Sequence, residues 1–229
     1  HDVTFWLDGG MMFGTLPRVI WDQVVIPDKL NRVPVATRSL LIRGRDKQGR
    51  KALVLVDTGL GDLANNDHFR NLYGITDSSW RLLQELSVAG ITPDEVTHVV
   101  LTHLHFDHVG GAVKKCLDGL RPTFKNARYI VNKGELDYAR APDRRSRASY
   151  RPETWEPLIA LGALETVRHN IEIIPGIKLC HAPGHTDNHQ VVQVSDGKRA
   201  LLRGALDFPC IHKGNNTIQY KYNRNTKEM

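Results

Sequence analysis

Apolar and polar positions along the chain follow two alternating periods. The runs VPVATRSLLIRG and KALVLVDTG, and later THVVLTH and ARYIVN, carry the extended apolar pattern of strands. Between them, DSSWRLLQELSVAG places Trp80, Leu82, Leu83 and Leu86 at near-helical spacing, with Asp77 or Ser78 as N-cap and Gly90 as stop. TPDEV predicts a short helical turn. KGELDYARA and PETWEPLIALGAL predict two more helices, the second with Pro152 near its first turn and Gly162 interrupting it. The segment IEIIPGIKLCHAPGHTDNHQVVQVSDGKRALLRG then reads as strand, Pro-Gly turn, strand, polar loop and a hairpin whose strands VVQV and ALLR flank Ser195-Asp196-Gly197. Strands alternating with helices predict a layered α/β protein. Without a linker or repeat, residues 1–229 are expected to form one domain.

Composition narrows the function classes. The chain is 41% apolar and 24% charged, and no segment reaches the roughly 18 apolar residues of a membrane span. The start HDVTFWLDGG lacks a basic stretch followed by an apolar core, so a cytoplasmic location is the expectation. Cys116, Cys180 and Cys210 are odd in number and far apart, a pattern of idle thiols rather than disulfides or a Cys-x-x-Cys zinc site. The net charge of +6 gathers in RGRDKQGRK and ARAPDRRSRASYR, which read as solvated basic loops. Tyr150 is the single aromatic among them, too few for a base-stacking platform, and nucleic acid is not an expected partner.

The chemistry concentrates in THLHFDHVGG, residues 102–111. His103 and His105 lie two apart after an apolar run, which in extended backbone puts both imidazoles on one side. Asp107 and His108 follow where the chain is expected to turn into a helix, HVGGAVKKC, with Gly110 and Gly111 allowing close backbone packing. Three histidines and a carboxylate without cysteine suit Zn²⁺, with Mn²⁺, Fe²⁺ or Co²⁺ as alternatives. His185 is the best distant partner because it follows a strand and sits in a Pro-Gly turn; His181 and His189 read as supporting or structural residues.

Thr102 to His108, with Val56-Asp57-Thr58-Gly59 before it and Ala182-Pro183-Gly184-His185 after it, resembles the metallo-β-lactamase-fold hydrolases over residues 5–210. LDGGMMFGTLP and Asn31-Arg32 are more similar to its branch of acyl-homoserine-lactone lactonases and methyl parathion hydrolases. The resemblance implies an αββα sandwich with the metals at one edge. It implies that His103, His105 and His185 hold one metal while Asp107 and His108 help hold a second, and that Asp57 is a buried residue ordering the ligand loops. One or two zinc ions would lower the pKa of coordinated water to about 7. Asp107 would orient the attacking hydroxide and shuttle a proton, and the substrate would be a small lactone or ester.

Two features depart from that pattern. The family's metal-bridging Asp is expected after Gly204, where Ala205 stands; Asp207 is the only nearby substitute, about 6.5 Å further along an extended chain. A last metal-binding His is expected later, and only His212 remains to supply it before the polar KGNNTIQYKYNRNTKEM. The C-terminal part therefore reads as shortened or diverged. A degenerate protein with an impaired second metal site is the alternative to the hydrolase, and a nuclease of the same fold is a third reading.

Overall fold

The structure is a computed structural model that describes residues 3–77, 80–168, 170–196 and 200–203, with the side chains of residues 202 and 203 left aside. Its chain order begins β1 (Thr4–Asp8), α1 (Gly9–Phe13), α2 (Arg18–Trp21), β2 (Arg32–Ala36), β3 (Leu40–Arg45) and β4 (Lys51–Val56). It continues α3 (Asp67–Tyr73), α4 (Arg81–Val88), β5 (His98–Val100), α5 (Phe106–Val109), β6 (Val113–Cys116), β7 (Gly119–Pro122), β8 (Arg128–Asn132) and α6 (Lys133–Arg140). The remainder is α7 (Glu156–Ala160), β9 (Leu164–Val167), β10 (Ile171–Ile174), β11 (Ile177–His181), β12 (Gln190–Ser195) and β13 (Ala200–Arg203).

Two sheets carry the fold. One has the order β3-β4-β5-β8-β9, parallel except for the antiparallel edge strand β3; the other is the antiparallel meander β10-β11-β12-β13. The period-2 pattern decides which face meets what. Val54, Val56, Val100 and Ile130 share a core with Ile174, Ile177, Leu179 and Val192 of the second sheet. Their neighbours Leu55, Val99, Tyr129 and Val131 point the other way and pack with Leu82 and Leu86 of α4, Leu136 and Ala139 of α6, and Leu158 of α7. Of the expected αββα layering, one helix layer and the two facing sheets are present among the described residues. Among the described residues no helix covers the outer face of the second sheet, where Lys178 is exposed.

An N-terminal unit closes one edge. Strands β1 and β2 pair, and Phe5 joins Phe69, Tyr73 and Phe106 in an aromatic cluster with ring centroids 4.5–6.2 Å apart. Because Phe106 opens α5, this cluster fixes the segment that carries Asp107 and His108. Phe13 stacks on Trp21 at 4.7 Å, while Met11 is exposed, so the Met-Met-Phe stretch is only partly core.

Three local expectations are corrected. VPVATRSLLIRG is two strands in different sheets, because Thr37 turns away to bond Val3: the Val3 N–H donates to Thr37 Oγ1 at 3.0 Å and the Thr37 N–H to the Val3 carbonyl at 2.9 Å. The helix with the expected cap at Asp77 or Ser78 begins only at Arg81, with Trp80 at the cap position, and Asp77 pairs with Arg81 instead. Ser78 lies outside the described residues. HVGGAVKKC is not one helix: α5 stops at Val109, Gly110–Ala112 form a 3₁₀ turn, and Val113–Cys116 are strand.

The two glycines explain that early stop. A Cβ on Gly111 would collide with the Thr58 carbonyl oxygen, and one on Gly110 with that of Leu60. Backbone meets backbone here, and the Thr58 N–H donates to the His108 carbonyl at 2.7 Å. Gly111→Ala is expected to cost about 1–3 kcal/mol through this overlap. A urea denaturation midpoint equal to that of the unsubstituted chain would show that the turn yields freely.

Candidate metal centre

The loops that leave β5 and β11 meet at one edge of the sandwich. β5 ends at Val100, so His103 and His105 sit on the loop beyond it rather than on the strand itself. Their imidazole centroids are 4.5 Å apart, and His185, from the loop between β11 and β12, stands 4.7 and 4.8 Å from the two. One nitrogen from each of the three falls within 4.8 Å of the others, and His105 Nδ1 faces His185 Nε2 at 3.0 Å. Four-coordinate zinc with Zn–N near 2.0–2.1 Å spaces its nitrogens about 3.3 Å apart. The three donors therefore need only small rotations to hold an ion.

The hydrogen bonds set the tautomer of His103. Thr102 Oγ1 has one proton and lies 2.9 and 3.0 Å from the Asp57 carboxylate oxygens, which can only accept. It therefore accepts from His103 Nδ1–H at 3.0 Å. This leaves a lone pair on His103 Nε2, which is buried and has no hydrogen-bond partner. A buried, unpartnered acceptor costs about 1–3 kcal/mol, and a cation is the partner that its neighbours His105 and His185 fit best. Burial, followed by the mutual proximity of the rings, drives the pKa values of His103 and His105 well below the usual histidine range. This direction favours the neutral imidazole, the form that binds metal.

Asp107 and His108 stand beside this trio, with the His108 ring 4.2 Å from that of His103. His108 Nδ1 lies 2.9 Å from Asp57 and Nε2 lies 3.2 Å from Asp107. Burial opposes the His108 charge, but the two carboxylates outweigh it and push the pKa up to about 10. Burial likewise opposes the charge of Asp107, and His108 overcomes it, holding the carboxyl well below its usual range. An ion held by Asp107 and His108 must replace the proton on His108 Nε2.

Asp57 connects the whole edge. Its φ of 58° is left-handed, and its carboxylate accepts from the Thr102 N–H at 2.8 Å, from the Thr102 hydroxyl and from His108. The buried, loop-ordering residue that the resemblance implied is present. His189, expected to be structural, is fully buried 5.2 Å from the His103 ring with both nitrogens unpartnered. His181 is farther out, its Nε2 2.9 Å from the Asp187 carbonyl. Asp207, His212 and Ala205 lie outside the described residues, as does Cys210; Cys116 and Cys180 are free thiols.

Sequence reasoning missed Glu135. It is fully buried on α6, and burial pushes its pKa up despite the hydrogen bonds it accepts. Its only signal was a carboxylate in an otherwise ordinary helical pattern.

The profile of the metallo-beta-lactamase superfamily matches residues 32–212. The chain belongs to this superfamily. An N-acyl homoserine lactonase of Bacillus cereus is 26% identical over 164 residues, covering 67% of this chain and 58% of the relative. The chain thus spans about three fifths of that relative's length. Among solved structures, a probable metal-dependent hydrolase from Staphylococcus aureus superposes with a TM-score of 0.76 at 23% identity, covering 90% of this chain and 71% of that one. AidC, a dizinc quorum-quenching lactonase in complex with a product, superposes at 0.64 with 24% identity, covering 88% and 67%. Both likenesses establish the fold. No described helix is long and apolar enough to cross a membrane.

Proposed function

We propose that this chain is a metal-dependent hydrolase of a small lactone or related ester. The observation that carries the reading is the convergence of His103, His105 and His185 on one point with the lone pair of His103 Nε2 left unpartnered. These three residues would hold the first ion, and Asp107 with His108 would contribute to a second. Bound zinc would supply Lewis-acid and water-activating chemistry. Asp107, beside the trio with His108 holding its carboxyl below the usual range, would orient water and carry a proton to the leaving oxygen. The similarity to named lactonases supports the substrate class.

Zinc content and the opening of an acyl-homoserine-lactone panel test this reading together. The expected result is zinc-dependent ring opening that a chelator abolishes and added zinc restores. Absence of bound zinc, or RNA cleavage that falls steeply with salt alongside no lactone opening, would overturn it.

A second reading, an impaired second site, draws chiefly on Ala205. Two dications about 4 Å apart repel, and a bridging carboxylate offsets much of that repulsion. Ala205→Asp is accordingly expected to raise zinc content from near one equivalent toward two and to increase hydrolysis. Two equivalents in the unsubstituted chain would exclude the impaired site.

A further inference from the structure

We propose that Glu135 is the positioning residue that locks the two ligand-bearing loops into one metal-binding geometry; this rests on the metal-site reading above. Its carboxylate is wholly buried, and among the described residues its hydrogen-bond partners are all neutral. One oxygen accepts from the Leu104 N–H at 3.1 Å and from the Tyr150 hydroxyl at 3.0 Å, and the other accepts from the Thr186 hydroxyl at 2.7 Å.

Each donor adjoins a candidate ligand. Leu104 lies between His103 and His105. Thr186 follows His185. Tyr150 bridges His105 through the backbone, and its ring meets the His105 imidazole edge-on at 4.8 Å. The anchor itself cannot drift, because α6 is capped by the Asn132 side chain, which accepts from the Gly134 N–H at 2.8 Å. Gly134 also packs so closely on Asn188 of the His185 loop that a Cβ there would overlap its side chain. One carboxylate thus spans segments separated by 31, 15 and 51 residues. Burying a carboxylate among neutral donors is costly unless its bonds are all made. The gain on offer at this position is orientation, since Glu135 reaches past the ligands to their supports without touching the point where His103, His105 and His185 meet.

Glutamine can keep all three contacts. Its carbonyl oxygen accepts from Leu104 and Tyr150, and its amide donates to the Thr186 oxygen. Alanine keeps none.

The test is Co²⁺ affinity by chelator competition and the Co²⁺ visible spectrum, read beside the melting temperature of the metal-free chain. Glu135→Ala is expected to weaken Co²⁺ binding about 10- to 100-fold and to alter the spectrum. Glu135→Gln should stay near the unsubstituted affinity. Thr186→Val, which removes one bond at nearly constant shape, should weaken binding about threefold or more. Wild-type affinity and spectrum in Glu135→Ala, even with a lowered melting temperature, overturn the inference and leave a purely structural residue. If Glu135→Ala does not fold, unchanged affinity in Thr186→Val overturns it. An equal loss in the Gln and Ala variants overturns the hydrogen-bond account. An unsubstituted chain that binds no Co²⁺ overturns the metal reading itself and this inference with it, an outcome separable from the others.

Discussion

Asp57→Ala is expected to lower the melting temperature by roughly 10 °C and, on the proposed function, to remove metal-dependent activity. Asp57 is 5% exposed, and its carboxylate accepts from Thr102 twice and from His108 once. Alanine leaves the Thr102 N–H without its acceptor and His108 without one of its two carboxylates. Breaking a buried charged pair costs about 3–5 kcal/mol, and for a chain of this size each kcal/mol moves the midpoint by about 2–4 °C. Alanine also tolerates the left-handed φ of 58° poorly. Asparagine, at ease in that region and keeping one acceptor, should lose about half as much. Equal melting temperatures for the Asn and Ala variants would show that backbone conformation contributes nothing to the effect.

Much of this site was legible because its signals are local. His103, His105, Asp107 and His108 lie within six positions, and one turn is enough to place them on one edge. The two-sheet core was likewise legible from alternation: Val54 and Val56 face one way and Leu55 the other, as their spacing requires. What failed to show was set by tertiary contacts that leave no periodic trace. HVGGAVKKC has helical spacing, yet Gly110 and Gly111 lie flush against the backbone of Leu60 and Thr58, and the chain leaves as a strand. VPVATRSLLIRG looks like one strand until Thr37 is claimed by Val3, 34 residues away. Glu135 is the extreme case. Its role depends on three donors brought together by three different loops, and no pattern within α6 distinguishes it from Asp137, which makes an ordinary surface pair with Lys133.

His103→Leu separates metal binding from folding stability more sharply than any other single change at this edge. An affinity of about 10–16 kcal/mol shared by four ligands assigns roughly 2.5–4 kcal/mol to each, so losing one imidazole is expected to weaken zinc binding about 10²- to 10³-fold. The metal-free chain should respond in the opposite sense. His103 is fully buried with Nε2 unpartnered, and leucine fills similar volume without a polar atom to satisfy. The Thr102 hydroxyl keeps its bond to Asp57 after the exchange. The metal-free His103→Leu chain is therefore expected to melt at or above the temperature of the unsubstituted metal-free chain, while zinc raises the midpoint of the unsubstituted chain only. Such a trade is the mark of a residue kept for chemistry at the expense of stability. A metal-free variant that melts several degrees lower would mean that the imidazole serves packing instead. Zinc binding at unsubstituted strength would remove His103 from the ligand set.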